Sequence, residues 1–551
     1  MKRVLLVSAV LLAAGCNDRP VERVATTPVE AASASSSAPA PSPPPAIASA
    51  PVVAPATVDP SGAWDVTWDR GLSAKPPLLR GTLVVTREDA GWKARMKLRD
   101  TSAQPVARSV LVVGDTLEVA FSMTPSPDEA RVRARVVDDR LVGEMQWGEL
   151  PSSTFTAKRR TLPELQRRSV SHSLPARETA GDGAETKAFA LLEQRARFER
   201  SDALVVLRDG RIALERYRPG YDGGPIISMS VSKSVTSLAI GALIDEKKLT
   251  LDTTMGQLFP EWAAQPEKAV ITVRHLLTHT SGLDPARAKF ASVTIREHTA
   301  KAKLVSAPGA RFQYNNAAVD FLAVVFRRAA GVGLDTWLQS HLFAKIDAVS
   351  ADWMRDPDGT PRAAGELMIR PIDLAKIGQI MLDRGQWRGE TLVPPSWVES
   401  AISPGQTYDE ACGLLWWREG TFATLLTTEV IAGFRDNGVD AATLSAAETL
   451  LGRRFETRDA YNAALAAAIG RPGAEPLFAM ASKRGIPLAG RVATGSIDGF
   501  SARGWLGQYV VVVPSTRTVA VRMRAMMRGD GTPEERDVYG DFPEGVVRAF
   551  R

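Results

Sequence analysis

Ile227-Ser228-Met229-Ser230-Val231-Ser232-Lys233-Ser234-Val235-Thr236-Ser237 is the stretch on which the reading of this chain turns. It contains Ser-x-x-Lys and runs directly into an apolar helical pattern over 238–245. Three residues is close to one helical turn, so Ser230 and Lys233 fall on one face at the helix start. A lysine amine there takes the serine hydroxyl proton when burial or a neighbouring cation lowers its pKa. The helix N-terminus also presents backbone N–H groups to a developing oxyanion. Alone the motif decides little, because a chain this rich in both residues holds Ser-x-x-Lys by chance, and a capped, solvated helix start explains it as well.

Its company decides more. Leu276-Leu277-Thr278-His279-Thr280-Ser281-Gly282-Leu283 and Pro308-Gly309-Ala310-Arg311-Phe312-Gln313-Tyr314-Asn315-Asn316 follow in order. With Ser230-Val231-Ser232-Lys233, they resemble the serine β-lactamase-related hydrolases, which include class C β-lactamases, penicillin-binding DD-peptidases, esterases and 6-aminohexanoate-dimer hydrolases. The resemblance covers 185–420 and 495–551. It implies Ser230 as nucleophile, Lys233 as its base, Tyr314 as a proton relay to the leaving group or from the deacylating water, and Asn316 as a hydrogen-bond partner of Lys233 or of the substrate carbonyl. A tyrosine serves this way only where a cation lowers the cost of its phenolate, and Lys233 is the cation at hand.

In that family a third motif, Lys or His, any residue, then Gly, lies on a strand facing the serine. The matching stretch is Ala502-Arg503-Gly504-Trp505-Leu506-Gly507-Gln508-Tyr509, before an apolar strand over 510–513. Gly504 permits close backbone approach, and the Trp505 N–H is the expected second oxyanion donor beside that of Ser230. Ala502 occupies the cation position, so the group that grips a substrate carboxylate is missing and penicillin hydrolysis is disfavoured. Arg503 alternates to the other strand face and does not replace it. This variant, with Gly413-Leu414-Leu415-Trp416-Trp417 and Ile372-Asp373-Leu374-Ala375-Lys376-Ile377-Gly378, looks most like the 6-aminohexanoate-dimer-hydrolase and esterase branch. The resemblance implies an amide- or ester-cleaving serine hydrolase acting on a small acyl compound. The alternatives are a DD-peptidase, which Ala502 disfavours, and a silent cell-envelope binding protein, which would need none of Ser230, Lys233, Tyr314 and Asn316. Residues 418–499, with helical pattern over 441–451 and 458–469, read as an insertion before the third motif, either a lid, a partner surface or a passive excursion.

Upstream, alternating stretches at 64–68, 81–87, 92–98, 109–113, 117–122, 132–137, 141–147 and 154–158 predict a small all-β domain over 61–160, an antiparallel barrel or sandwich. Gly62-Ala63-Trp64 resembles the opening of lipocalin-like barrels, with Trp64 as a core plug. A polar connector, 161–182, leads to the catalytic domain, 183–551, expected as an α/β β-lactamase/transpeptidase-like fold: an antiparallel sheet flanked by helices, plus a helical subdomain. Strands near 203 and over 510–522 should share that sheet, and 546–550 should close it as a helix.

Lys2 and Arg3 precede an apolar run over 4–14 that is too short to span a bilayer, the pattern of an export signal. Leu12-Ala13-Ala14-Gly15-Cys16 resembles a bacterial lipoprotein cleavage site, with Cys16 as the lipidated first residue. The expectation is therefore a lipid-anchored cell-envelope protein facing the periplasm, with signal 1–16 and an Ala/Pro/Ser-rich tether over 17–60.

Composition closes other doors. The 551 residues are 44% apolar, enough for more than one core, and Lys plus Arg at 68 against Asp plus Glu at 62 leaves +6 with no basic stripe, so nucleic acid is not an expected partner. Two cysteines, Cys16 and Cys412, exclude a disulfide framework and a thiolate metal cluster. Cys412, in an apolar stretch, reads as a buried small hydrophobe. His275 and His279 stand four apart without the intervening Glu or a third ligand of a helical zinc site, and no phosphate loop occurs, so no metal or organic cofactor is expected.

Overall fold

The computed structural model describes residues 59–551, apart from 70–77, 89–90, 99–103, 125–128, 163, 167–171, 178–181, 288–291, 350, 485 and 527–539. The signal, Cys16 and the tether up to residue 58 lie outside the described residues. Among those described, no helix is long and apolar enough to cross a membrane.

Eight antiparallel strands open the described chain: β1 Gly62–Asp69, β2 Leu78–Glu88, β3 Gly91–Leu98, β4 Gln104–Val113, β5 Thr116–Thr124, β6 Glu129–Val137, β7 Arg140–Trp147 and β8 Ser153–Arg159. Their order is β3-β2-β1-β8-β7-β6-β5-β4, and the two end strands lie alongside each other, giving a nearly closed barrel. Period-two burial runs cleanly along β6, where Ala130, Val132, Ala134 and Val136 face inward and the arginines face out. The interior is filled by side chains: Trp64, Trp68, Trp147, Phe121 and Phe155 are buried there, and the Trp68 and Trp147 rings meet at 5.6 Å. Trp64 is the core plug expected, its indole N–H donating to the Pro60 carbonyl at 3.0 Å.

A seven-stranded antiparallel sheet forms the larger part. It comprises β9 Ala203–Arg208, β10 Arg211–Tyr217, β11 Trp417–Leu425, β12 Arg454–Phe455, β13 Gly490–Gly504, β14 Gln508–Val513 and β15 Thr518–Met523, in the order β10-β9-β15-β14-β13-β11-β12. Strands β9, β14 and β15 are buried on both faces and are mostly apolar, with Arg522 of β15 buried among them. One face carries α1 Gly183–Phe198 and the closing helix Phe542–Phe550; the other carries α2 Val231–Asp245, α3 Asn316–Ala330 and α4 Pro371–Leu382. In α4, the Ile372–Gly378 stretch is structural. Asp373 is fully buried between Arg370 at 2.6 Å and Lys376 at 2.9 Å, and Lys376 also donates to the Ile346 carbonyl at 2.8 Å.

The stretch read as an insertion, 418–499, is more ordered at its ends than expected. Arg418–Leu425 and Gly490–Gly499 are not an excursion but lengthen β11 and β13, paired from Trp417↔Ser501 to Leu425↔Gly490. The inserted part proper contains α5 Thr428–Asp436, α6 Ala441–Glu448 and α7 Arg458–Arg484, the last broken at Gly470, around a core of Val430, Phe434, Leu444, Tyr461, Leu465 and Leu477. It lies against the stretch leading to Tyr314, where Arg311 pairs with Asp436 at 2.7 Å and Gln313 donates to the Arg484 carbonyl at 3.1 Å.

An ion network joins barrel and larger sheet. Arg195 of α1 reaches Asp541 at 2.8 Å and Glu88 of β2 at 3.6 Å, Lys93 pairs with Glu88 at 2.6 Å, and Arg95 pairs with Asp541. Burial alone would raise the Asp541 carboxyl, but Arg95 and Arg195 more than offset it and hold it below the usual range. A depressed folded-state pKa adds stability above the unfolded value of about 4, and this is lost as pH falls through the folded value. Acid melting is therefore expected to loosen this junction below about pH 4. Asp541→Asn should melt lower at neutral pH and show a shallower fall on acidification; an identical acid limb in the variant would refute the assignment.

Candidate active site

Helix α2 has no solvent face: every residue from Val231 to Leu243 is buried. Its hydroxyls therefore need partners, and loops supply them. Ser234 and Ser237 donate to the carbonyls of Leu415 and Leu414 at 2.6 and 2.7 Å, and Thr236 to that of Ala363 at 3.1 Å. Ser232 accepts the Leu367 N–H at 3.1 Å and touches the Ser228 hydroxyl at 3.0 Å. The solvated helix start that sequence alone allowed is thus replaced by a core helix.

Ser230 precedes this helix but does not cap it; its side chain makes no capping bond. The Met229 backbone before it is left-handed, φ 50, a conformation costly for a side-chain-bearing residue and common at functional turns. Lys233 lies one turn on, 2% exposed, and its Nζ donates to Ser230 Oγ at 2.8 Å and to the Ala364 carbonyl. Among the described residues no carboxylate pairs with this amine. The Ser230 N–H likewise has no partner among the described residues, which leaves it available to an oxyanion.

Tyr314 meets Lys233 from the loop before α3, with the Lys233 Nζ 5.0 Å from its ring centroid. Asn315 caps α3, its Oδ1 accepting the Ala318 N–H at 2.9 Å, and Asn316 is the first helical residue, half-buried. Lys233 makes no hydrogen bond to Asn316 among the described residues. Gly504 ends β13 against the turn of the serine, where a Cβ would lie 2.7 Å from the Ser228 carbonyl and 3.1 Å from Met229 Cβ. Trp505 follows it, 55% exposed. Ala502 is fully buried on the α2 side, whereas Arg503 faces the opposite layer and holds Glu419 through contacts at 2.7 and 2.6 Å and Glu544 at 3.2 Å.

Two features were not read from the sequence. Asp320, one turn beyond Asn316 on α3, accepts the Ala364 N–H at 2.9 Å while pairing with Arg287 at 2.8 Å; Arg287 in turn pairs with Glu366 at 2.9 Å. This cluster fixes the loop whose carbonyl receives Lys233. The signal available was a lone acid within the apolar run of α3. The other is His279. It lies beyond its short helix, Val273–Leu277, with φ 58, so it does not share a helix face with His275. Cys412 is 1% exposed and burial pushes its thiol up, as a small buried hydrophobe requires.

A family model described as beta-lactamase matches residues 189–538, more than half of the chain. The 6-aminohexanoate-dimer hydrolase of Paenarthrobacter ureafaciens is 30% identical over 244 residues, 39% of this chain and 60% of that protein. Esterase EstB of Burkholderia gladioli is 31% identical over 151 residues, 23% of this chain and 36% of that protein. The chain thus spans less than two thirds of these relatives. The penicillin binding protein from Bacillus halodurans superposes with a TM-score of 0.41 at 14% identity, covering 65% of this chain and 100% of that one.

A methyl group at 504 must displace backbone, since the contact is with a carbonyl oxygen rather than a flexible side-chain end. Gly504→Ala is expected to cost about 1–3 kcal/mol in urea denaturation and to slow acylation of Ser230 by a fluorophosphonate at least about tenfold. Unchanged stability and labelling would show that β13 does not press on the serine turn.

Proposed function

The chain belongs to the β-lactamase family, and we propose that it hydrolyses an amide or ester bond of a small acyl compound through an acyl-enzyme on Ser230. The observation that carries this is the 2.8 Å contact between Lys233 Nζ and Ser230 Oγ, set beside the Tyr314 ring. In its unprotonated form the Lys233 amine accepts the hydroxyl proton as Oγ attacks the substrate carbonyl. The oxyanion is received by the N–H groups of Ser230 and Trp505. Tyr314 passes a proton to the departing alcohol or amine, leaving an ester on Ser230. Water then attacks this ester, giving its proton through Tyr314 or Lys233, and the acid leaves with Ser230 restored.

Amide and ester substrates are favoured over penicillins by the third motif. No cation stands at Ala502, and Arg503 is committed to Glu419 across the sheet. The names of the relatives, an aminohexanoate-dimer hydrolase and an esterase, support the same bond types. A DD-peptidase would need a partner for its substrate's terminal carboxylate, and none occupies that position. We further propose export and anchoring through lipidated Cys16, supported by the charged and apolar start of the sequence and the small residues before Cys16.

Intact-mass measurement after exposure to a fluorophosphonate, 4-nitrophenyl acetate or benzylpenicillin tests the reading. Adducts with the first two are expected on Ser230 and absent in Ser230→Ala, with kcat/KM for the ester lowered on the order of 10³-fold or more. No adduct with any probe would overturn it.

A further inference from the structure

Tyr314 is held by one residue that the proposed chemistry leaves unused. The His279 imidazole lies against the Tyr314 ring, centroids 4.4 Å apart and planes 34° from parallel. The backbone on both sides of Tyr314 also ends on His279: the Gln313 N–H donates to its carbonyl at 2.8 Å, and the Asn315 N–H donates to its Nδ1 at 3.1 Å. Phe312 packs edge-on against the same imidazole, centroids 5.8 Å apart. Phe312, Gln313 and Asn315 around the tyrosine and the tyrosine ring itself are thus referenced to one side chain and its carbonyl.

His279 is in turn immobilised. It is 2% exposed, and the residue after it accepts the Gly309 N–H at 2.7 Å. Gly282, φ 70, lets the Ser306 carbonyl approach to where a Cβ would sit 2.1 Å away, locking the segment 280–283 to the start of the Tyr314 loop. Burial, with the Lys233 charge adding to it, pushes the imidazole down to about 3. The ring is therefore neutral throughout the working range, with Nδ1 as acceptor and the proton on Nε2. A neutral ring keeps the Asn315 contact and adds no charge beside Tyr314.

We propose that His279 is the positioning residue of Tyr314, holding the phenol ring at a fixed distance from Lys233 and Ser230 without itself exchanging a proton. The inference rests on the reading of Tyr314 as proton relay. Relay across such a site is sensitive to displacement of an ångström, so an unsupported ring would slow the chemical step while leaving substrate binding intact.

His279→Asn separates the functions of the side chain. Asparagine tolerates the left-handed backbone, and its Oδ1 replaces Nδ1 as acceptor for the Asn315 N–H, but it offers no ring to Tyr314. Hydrolysis of 4-nitrophenyl acetate is measured for the unaltered protein, His279→Asn, Tyr314→Phe and the double variant, with melting recorded for each. The expected result is a kcat lower by roughly 10- to 100-fold in His279→Asn with KM within about twofold, and a further loss below about twofold when the same change is made in Tyr314→Phe. Equal losses in both backgrounds, or none in the first, overturn the inference and leave the relay standing. Full activity of Tyr314→Phe alone overturns the relay, and the inference with it. Should His279→Asn fail to fold, His279→Gln is read in the same cycle.

Discussion

Lys233 sits inside a helix that has no solvent face, and the architecture around it follows from satisfying that amine and the hydroxyls beside it. An unmade hydrogen bond in such a place costs about 1–3 kcal/mol, and α2 carries Ser232, Ser234, Thr236 and Ser237 as well as Lys233 in its first turns. Each of these groups bonds to a carbonyl or N–H from a loop distant in sequence, at 363–367 or 414–415. The helix therefore acts as a polar template buried in an apolar layer. The loops that satisfy it form the walls of the site, and the one contact not used up structurally is Lys233 to Ser230.

The same logic runs outward by one more layer. Ala364, whose carbonyl takes the Lys233 amine, is held through its N–H by Asp320, and Asp320 by Arg287. Burial lifts the Asp320 carboxyl above the usual range even though Arg287 opposes the shift. A carboxylate in this position is stable only while both partners are present, so the chain from Arg287 to Lys233 behaves as a unit. The left-handed Met229 and the close approach of Gly504 impose the remaining constraint, fixing where the serine oxygen points relative to the end of β13.

What was legible in the sequence follows from the range of each interaction. Ser230 and Lys233 are a helical turn apart, so their meeting needed nothing but local geometry. The eight barrel strands were visible because one face of each is wet and the other dry, as the alternation along β6 shows. The ends of the insertion were misread for the opposite reason. Thr494–Asp498 of β13 is largely exposed and carries no alternation, so the ladder with β11 is set by pairing alone. Asp320 and Ala364 lie 44 residues apart with several elements between them, and no local pattern announces their bond. His279 drew attention through the 276–283 stretch and its spacing from His275, whereas its neighbours in space are set by the 308–315 loop folding back over it.

The alternation of Ala502 and Arg503 bears on what the site can recognise. A residue at 502 points into the layer shared with α2, and a residue at 503 points toward α1 and the closing helix. Arg503 is fixed there by Glu419, itself buried and hydrogen-bonded by Ser501. For Arg503 to serve a substrate carboxylate, the strand would have to slip by one residue, which would turn Phe500 and Ala502 out of the layer they share with α2 and strand the Glu419 carboxylate without a cation. The sheet register therefore forbids the exchange. What remains at the end of β13 is a buried methyl group at 502, a backbone N–H after Gly504 and the exposed indole of Trp505. Neither side chain at 502 or 505 carries a charge, so a carboxylate pressed against them would lose hydration with no ionic partner at those two positions to compensate.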